Sequence, residues 1–361
     1  MRHQRAQGWS RRAFLSGLTL AGTTGLLGLY LRPVAAEPPP ETTTLRIVRT
    51  ARTCVAPQYV ASELLKSEGF TEVHYVRSPD AGWIAKLPTS SEADMTMNFV
   101  GPLLVRINAG DPIVLLAGGH VGCYELVGTQ QVRTIRDLKG KTVALRDRGT
   151  SYIFFASIVA YVGLDPHTDL HVATYPADEA KHLLAEGKID ALLAFPPSPQ
   201  ELRAERIGHT LINSAVDRPW SQYFCCMVAG NREIVRKHPV ATKRALRAIV
   251  KAADLCALEP NRAAQALVDQ GITDRYDYAL QLMKDLPYGK WREYNPEDTV
   301  RFFALRLHEI GMIKSTPQKL IRPGRRLALP QRAQAGAEGV EIHNPHPGSF
   351  PSRKREKKDL C

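Results

Sequence analysis

Apolar and polar positions alternate along Leu45-Arg46-Ile47-Val48-Arg49, a spacing that predicts a strand. A turn from Cys54 to Gln58 follows, then helical spacing from Tyr59 to Ser67 closed by Gly69, and Glu72 to Val76 reads as the next strand. Asp94-Met95-Thr96-Met97 predicts a third strand running into Asn98-Phe99-Val100-Gly101. Pro102 to Asn108 is helical, and the unbroken apolar run Pro112 to Ala117 predicts a strand covered on both faces. The order then repeats. A helical turn at Ile135 to Leu138 delivers the chain into Thr142-Val143-Ala144-Leu145, and Gly149-Thr150-Ser151 opens a helix over Tyr152 to Tyr161 that Gly163 stops. Leu170 to Thr174 is extended, and a helix from Ala177 to Glu186 leads through Gly187 to a strand at Ala191 to Ala194. From Asn231 to Ile313 the pattern is mostly helical, with starts at Pro239, Pro260 and Pro296, where proline suits a first helical turn.

Residues 45–130 and 135–215 share one element order, which predicts the α/β class: two linked lobes, each a mostly parallel sheet flanked by helices. The expected organisation is a first part of lobe 1 at 45–134, lobe 2 at 135–215, and a return to lobe 1 with C-terminal helices at 216–320. Such lobes enclose a cleft, and ligands of open parallel sheets sit at the carboxyl ends of strands.

Composition adds exclusions. At 361 residues, 44% hydrophobic and 23% charged, the chain is ordinary globular material, and its single long apolar run excludes a multi-span membrane protein. The net charge of +12 invites a nucleic-acid partner until it is located. Residues 1–36 hold five arginines and no acid, and residues 321–361 hold nine Lys/Arg against four Asp/Glu. That leaves 34 basic against 32 acidic residues in 37–320, so no nucleic-acid partner is expected.

Ser10-Arg11-Arg12-Ala13-Phe14-Leu15, a moderately apolar stretch from Leu18 to Leu31 and the small residues Val34-Ala35-Ala36 resemble a twin-arginine signal peptide over residues 1–36. The resemblance implies an export translocase as a partner, folding before export and a periplasmic location. Retention as an anchor is the alternative, since about 17 apolar-leaning residues just reach across a bilayer; the small residues and Pro38-Pro39-Pro40 favour cleavage. At the other end, Arg322-Pro323-Gly324-Arg325-Arg326 begins a Pro-, Gln- and Lys/Arg-rich segment that cannot bury a core. Residues 321–361 therefore read as disordered, either as a divergent tail or through a shifted reading frame near residue 321.

Three phrases stand in a telling order: Asp137-Leu138-Lys139-Gly140-Lys141-Thr142-Val143-Ala144, then Gly149-Thr150-Ser151, then Ala185-Glu186-Gly187-Lys188-Ile189-Asp190-Ala191. With Ala56-Pro57-Gln58-Tyr59-Val60-Ala61, Tyr223-Phe224-Cys225-Cys226, Gly230-Asn231-Arg232 and Arg236-Lys237-His238-Pro239, the chain over roughly 45–318 resembles the type II periplasmic binding proteins. The branch is that of the nitrate, sulfonate, taurine and thiamine-pyrimidine-precursor receptors. The resemblance implies a non-enzymatic receptor that captures a small organic anion or heterocycle and delivers it to an ABC permease with its ATPase, without a cofactor. The competing class is a pyrimidine-precursor synthase on the same fold, which resembles a suicide enzyme consuming a histidine and pyridoxal phosphate with iron. Cys225-Cys226 falls short of the cysteine-rich motif of those enzymes.

Capture in such a cleft calls for helix N-termini facing anionic or polar atoms and aromatic faces for planar parts. The first lobe offers the turn of Thr53, Cys54, Ala56 and Gln58, then Asn98 and Phe99 after a strand, and Gly122-Cys123-Tyr124 after Gly118-Gly119-His120. The second offers Gly149, Thr150 and Ser151 at a helix start and Phe195 past a strand end, with Trp220, Gln222 and Tyr223 near the return crossing. The plainer readings are core packing for Phe195 and Trp220, and simple helix capping for Gly149-Thr150-Ser151. No CxxC pair marks a structural zinc site, and Cys54, Cys123, Cys225, Cys226 and Cys256 read first as small buried residues, with no metal expected. A sharper alternative gathers Cys54, Cys123, Cys225 and Cys226 with His120 around one cleft, a set suited to a soft metal.

Overall fold

The computed structural model describes residues 37–77 and 92–321. The export-signal reading of residues 1–36 and the tail reading from residue 322 onward lie outside the described residues. Among the described residues, both sheets belong to one compact unit that begins at residue 40.

The first strand, β1 (Thr44–Arg49), buries Leu45, Ile47 and Val48. A 3-10 turn at Thr53–Val55 leads into α1 (Ala56–Val60) and α2 (Ser62–Ser67), where one helix over Tyr59 to Ser67 is predicted. The break has a local cause: Ser62 Oγ donates to the Tyr59 carbonyl at 2.9 Å, competing with the helical ladder. β2 (Glu72–Arg77) and β3 (Met95–Phe99) flank β1 in parallel, and α3 (Val100–Ala109) follows. β4 (Ile113–Val121) outruns its predicted apolar stretch because two glycines continue it. A Cβ at Gly118 would stand 2.1 Å from the Phe224 ring, so a side chain there would push the neighbouring strand away.

The chain crosses at Gly122 to Tyr124 and enters β5 (Glu125–Gly128), which joins the second sheet rather than the first. The expected boundary at residue 135 is therefore about ten residues late, since the positive φ of Gly122, and not the later helical turn, redirects the chain. The second lobe continues through β6 (Thr142–Leu145), α4 (Thr150–Tyr161), β7 (His171–Thr174), α5 (Ala177–Ala185), β8 (Ala191–Ala194), α6 (Ser198–Glu205) and β9 (His209–Asn213). The chain then returns to the first sheet as β10 (Phe224–Asn231).

The strand orders are β2-β1-β3-β10-β4 and β7-β6-β8-β5-β9. In each sheet the strand that follows a crossing, β10 or β5, is antiparallel to both neighbours, so two mostly parallel sheets each carry one reversed strand. The C-terminal helices are α7 (Arg232–Lys237), α8 (Pro239–Leu258), α9 (Pro260–Asp269), α10 (Tyr276–Asp285), α11 (Pro296–Glu309) and α12 (Pro317–Ile321), with α8, α9 and α11 starting on the predicted prolines. The Asn231 and Asn295 side chains cap α7 and α11. No described helix is long and apolar enough to cross a membrane.

Candidate functional site between the lobes

Two chain segments join the lobes, and they are tied together at one point. Tyr124 N–H donates to Ser214 Oγ at 2.9 Å, while Ser214 Oγ and N–H donate to the Tyr124 carbonyl at 2.7 and 3.0 Å. Gly122 has φ 79°, and a Cβ on it would stand 2.5 Å from the Ala215 Cβ, so the crossing segments close over a position that only glycine fits. The lobes are latched. Arg203 on α6 pairs with Glu125 on β5 and, at 2.7 Å, with Asp285 on α10, which also accepts from Gln200 Nε2 at 3.1 Å. The crevice left beside this latch, lined by Cys123, Pro196, Gln200 and Leu286 among others, is about 10 Å³, room for about one water.

Arg52 lies at the carboxyl end of β1, just before the 3-10 turn, and is 7% exposed. Its guanidinium carbon is 5.1 Å from the centre of the Phe195 ring, which follows β8 in the other lobe. Arg52 makes no ion pair among the described residues, and its Nη1 has no hydrogen-bond partner. The neighbouring Thr53 hydroxyl is likewise buried and unpartnered. Burial opposes the charge, but Tyr124, Cys54, Cys226 and Cys123 around it favour the cation and hold its pKa above the ordinary arginine value. A buried guanidinium and hydroxyl with unpartnered donor atoms can donate hydrogen bonds to an anion. Sequence reasoning named Thr53 and missed Arg52. The signal was present: an arginine in the strand-to-helix turn of a parallel sheet lies where ligands bind.

Behind Arg52 lies a group of sulfur atoms. Cys54, Cys123, Cys225 and Cys226 are buried, and the Sγ atoms of Cys123 and Cys225 are 3.2 Å apart. Ladder pairing places Cys226 opposite His120 on β4. One ligand atom from each of Cys54, His120 and Cys226 lies within 4.8 Å of the others, and the same holds for Cys123, Cys225 and Cys226. His120 Nδ1 is 3.2 Å from the Val121 carbonyl, and its Nε2 has no partner. The Tyr288 ring meets His120 edge-on at 5.4 Å, and its hydroxyl donates to the Cys54 carbonyl at 2.7 Å. Burial pushes the thiols toward their neutral form, and Cys54 and Cys123 titrate above the usual cysteine range. Burial raises Cys225 and Cys226 as well, but hydrogen bonding to Cys123, joined by Cys226 and the Arg52 charge for Cys225 and by Cys54 for Cys226, together brings both below that range. Burial likewise opposes the charged His120 ring, yet Cys226 and Cys54 hold its pKa well above the ordinary value.

The remaining predicted residues divide by environment. Tyr124 stacks on Phe154 at 4.6 Å and tilts against Phe195 at 5.3 Å, so it lies at the lobe junction beside Arg52. Gln58 faces the sheet: its Nε2 donates to the Val48 carbonyl and its Oε1 accepts from Met97 N–H, both at 3.0 Å. Asn98 accepts from the N–H of Phe99 at 2.8 Å, and Phe99 meets Tyr124, Phe154 and Phe303 edge-on in the core. Trp220 packs edge-on against Phe154 and Phe302, while Tyr223 stacks on Phe302 at 4.1 Å beside an open groove along α11. The helix start at Gly149, Thr150 and Ser151 already faces a carboxylate. Asp147 Oδ1 accepts from the Gly149 and Ser151 N–H groups at 2.9 and 3.2 Å, and its Oδ2 accepts from Ser151 Oγ at 3.0 Å.

A model of the NMT1-like family matches residues 38–269. The bicarbonate-binding protein CmpA of Synechococcus elongatus is 28% identical over 109 residues, 30% of this chain and 24% of that protein, so the match spans only a minor part of the curated relative. The crystal structure of the periplasmic aliphatic sulphonate binding protein SsuA from Escherichia coli aligns with a TM-score of 0.61 and 15% identity, over 76% of this chain and 94% of the other. The periplasmic nitrate-binding protein NrtA from Synechocystis aligns with a TM-score of 0.61 and 15% identity, over 84% of this chain and 87% of the other. At such identities the likeness is one of fold: two α/β lobes joined by crossing strands.

Proposed function

The chain belongs to the NMT1-like family, and from that premise we propose that it is a solute receptor, not an enzyme, that captures a small anion between its lobes. The observation that carries the reading is Arg52, a buried cation with an unpartnered Nη1 and, among the described residues, no carboxylate paired with it. Burying such a group costs stability unless something negative arrives, so an anionic guest supplies the missing half of the pair. The relatives' names run the same way, through bicarbonate, an aliphatic sulphonate and nitrate.

Capture then has a physical sequence. Rotation about Gly122 to Tyr124 breaks the Arg203 and Gln200 contacts to α10 and exposes Arg52 to solvent. A planar anion takes two parallel hydrogen bonds from the guanidinium, with the Thr53 hydroxyl available as a third donor. Closure brings Phe195 and Tyr124 back over the guest, and the latch reforms. The closed receptor then presents its load to an ABC permease with its ATPase. The proposed setting is the periplasm, reached by the twin-arginine route that residues 1–36 resemble.

Isothermal calorimetry with bicarbonate, nitrate, short alkanesulfonates and an aminopyrimidine tests this. Reversible, saturable binding of at least one anion is expected. Binding of the neutral heterocycle alone, or turnover without reversible binding, overturns the reading.

A further inference from the structure

Anion capture leaves five soft donors behind Arg52 without a task. Their geometry is that of a coordination site: donors bonded to one ion at about 2.3 Å in a trigonal plane stand about 4 Å apart. Both triplets, Cys54 with His120 and Cys226, and Cys123 with Cys225 and Cys226, already hold their ligand atoms within 4.8 Å. Cys226 is common to both.

Two further observations point to a guest at this place. His120 is 1% exposed, yet its Nε2 is unpartnered, and a buried imidazole nitrogen without a hydrogen bond is costly unless it has another acceptor or a metal to bind. Cys123 has φ 121°, a conformation that L side chains rarely adopt, and its thiol is thereby held against Cys225. A cysteine kept where glycine is easier invites a role for its sulfur.

The donor set also selects the ion. It contains no carboxylate, so it is poorly suited to Mg²⁺ or Ca²⁺, which take oxygen ligands. Three donors per set fall short of the four protein ligands that a structural zinc site takes. Thiolate and imidazole suit a soft ion of low coordination number. Each coordinating thiol gives up its proton to solvent as the metal–sulfur bond forms, and the Arg52 cation nearby offsets the negative charge that this leaves on the sulfurs.

We propose that Cys54, His120, Cys123, Cys225 and Cys226 form a Cu(I) site, built as two trigonal donor sets that share the Cys226 thiolate. The inference stands on the donor geometry and does not depend on the anion reading.

The test uses the full chain, reduced and anaerobic, titrated with Cu(I) in competition with bicinchoninate. The expected result is withdrawal of one to two Cu(I) per chain, at least ten-fold weaker in Cys226→Ala and unchanged in Cys256→Ala and Cys361→Ala. X-ray absorption of the loaded wild-type chain gives a check that needs no variant, with a three-coordinate shell dominated by sulfur. No withdrawal from bicinchoninate, loss of binding in Cys361→Ala, a shell of light atoms only, or complete displacement by equimolar Zn(II) would each overturn the assignment.

Discussion

The Arg52 guanidinium carbon sits 5.1 Å from the centre of the Phe195 ring, joining a turn of the first lobe to a strand end of the second. Such a contact is worth about 2 kcal/mol when desolvated. It leaves the Nη1 without a hydrogen-bond partner, and the proposed anion receptor rests on that deficit. Arg52→Ala should weaken anion binding about 10- to 100-fold, the range of one or two charge-assisted hydrogen bonds. Arg52→Lys should recover part of this, keeping the charge but losing the planar fork. Arg52→Ala should not lower the melting temperature by more than a few degrees, since it removes a buried charge that has no ion pair among the described residues, whereas Arg52→Lys keeps that charge on a more strongly hydrated group and should melt no higher than the alanine variant. Calorimetry with the best anion and a thermal melt on each variant check both halves.

Asp147 gives the opposite prediction. Its carboxylate occupies the start of α4, where an anionic guest was expected to meet Gly149, Thr150 and Ser151. Asp147→Ala should cost about 1 kcal/mol, as loss of a helix cap does. Anion affinity should stay level or rise, because a competing internal anion has gone. A fall in affinity of ten-fold or more, measured by the same calorimetry, would place Asp147 in the ligand shell and contradict the assignment to Arg52.

These two residues also mark what the sequence made legible. Periodicity revealed the βαβ order, the prolines marked three helix starts, and the family phrases fell on β6, the start of α4 and the approach to β8. Long-range pairing was not visible. Nothing in Cys225-Cys226 tells that β10 inserts between β3 and β4 and sets Cys226 opposite His120, because strand order is fixed by contacts distant in sequence. Arg52 was overlooked for a related reason. An arginine beside a strand reads as a solvated charge until the other lobe closes over it. Asp147 shows the converse, since a helix start open by sequence turned out to be filled by a carboxylate two residues before it.

Gln58, a cleft candidate by its sequence position, has contacts that give it a measurable structural weight. Its amide bridges the Val48 carbonyl and the Met97 N–H at 3.0 Å each, linking β1 and β3 at the point where α1 packs on them. Gln58→Ala leaves both backbone groups buried and unpaired. The expected loss is about 2–4 kcal/mol, from about 1–3 for each abandoned group with partial relaxation. Urea denaturation measures it, and a loss under 1 kcal/mol would show that water replaces the amide.

Gly122 sets how the lobes are joined. With φ 79° and Ala215 at 2.5 Å from its hypothetical Cβ, Gly122→Ala meets both backbone strain and a clash. A drop in melting temperature of several degrees is expected. Gly122→Ala combined with Ala215→Gly relieves the clash but not the strain, so it should recover only part of the loss. Full recovery would mean that contact alone, and not the left-handed backbone, fixes glycine here.

Cys123 and Cys225 meet where the crossing segment touches β10, with sulfurs 3.2 Å apart, closer than ordinary nonbonded contact. A disulfide requires the sulfurs to close from 3.2 Å to about 2.05 Å, and Cys225 is the partner whose thiol is held below the usual range, so it supplies the attacking thiolate. Diamide treatment of the metal-free protein should therefore form a Cys123–Cys225 disulfide, the two thiols losing two electrons and two protons as the diazene is reduced to a hydrazine. Peptide mapping identifies the pair. Cys256, buried on α8 with its thiol pushed up by desolvation, should stay reduced under the same conditions. Prior loading with Cu(I) should protect Cys123 and Cys225, because coordinated thiolates are poor nucleophiles toward the oxidant. If oxidation instead joins Cys225 to Cys226, or proceeds equally fast in the Cu(I)-loaded chain, the two trigonal sets do not exist as described, and the crossing carries a redox contact in place of a metal site.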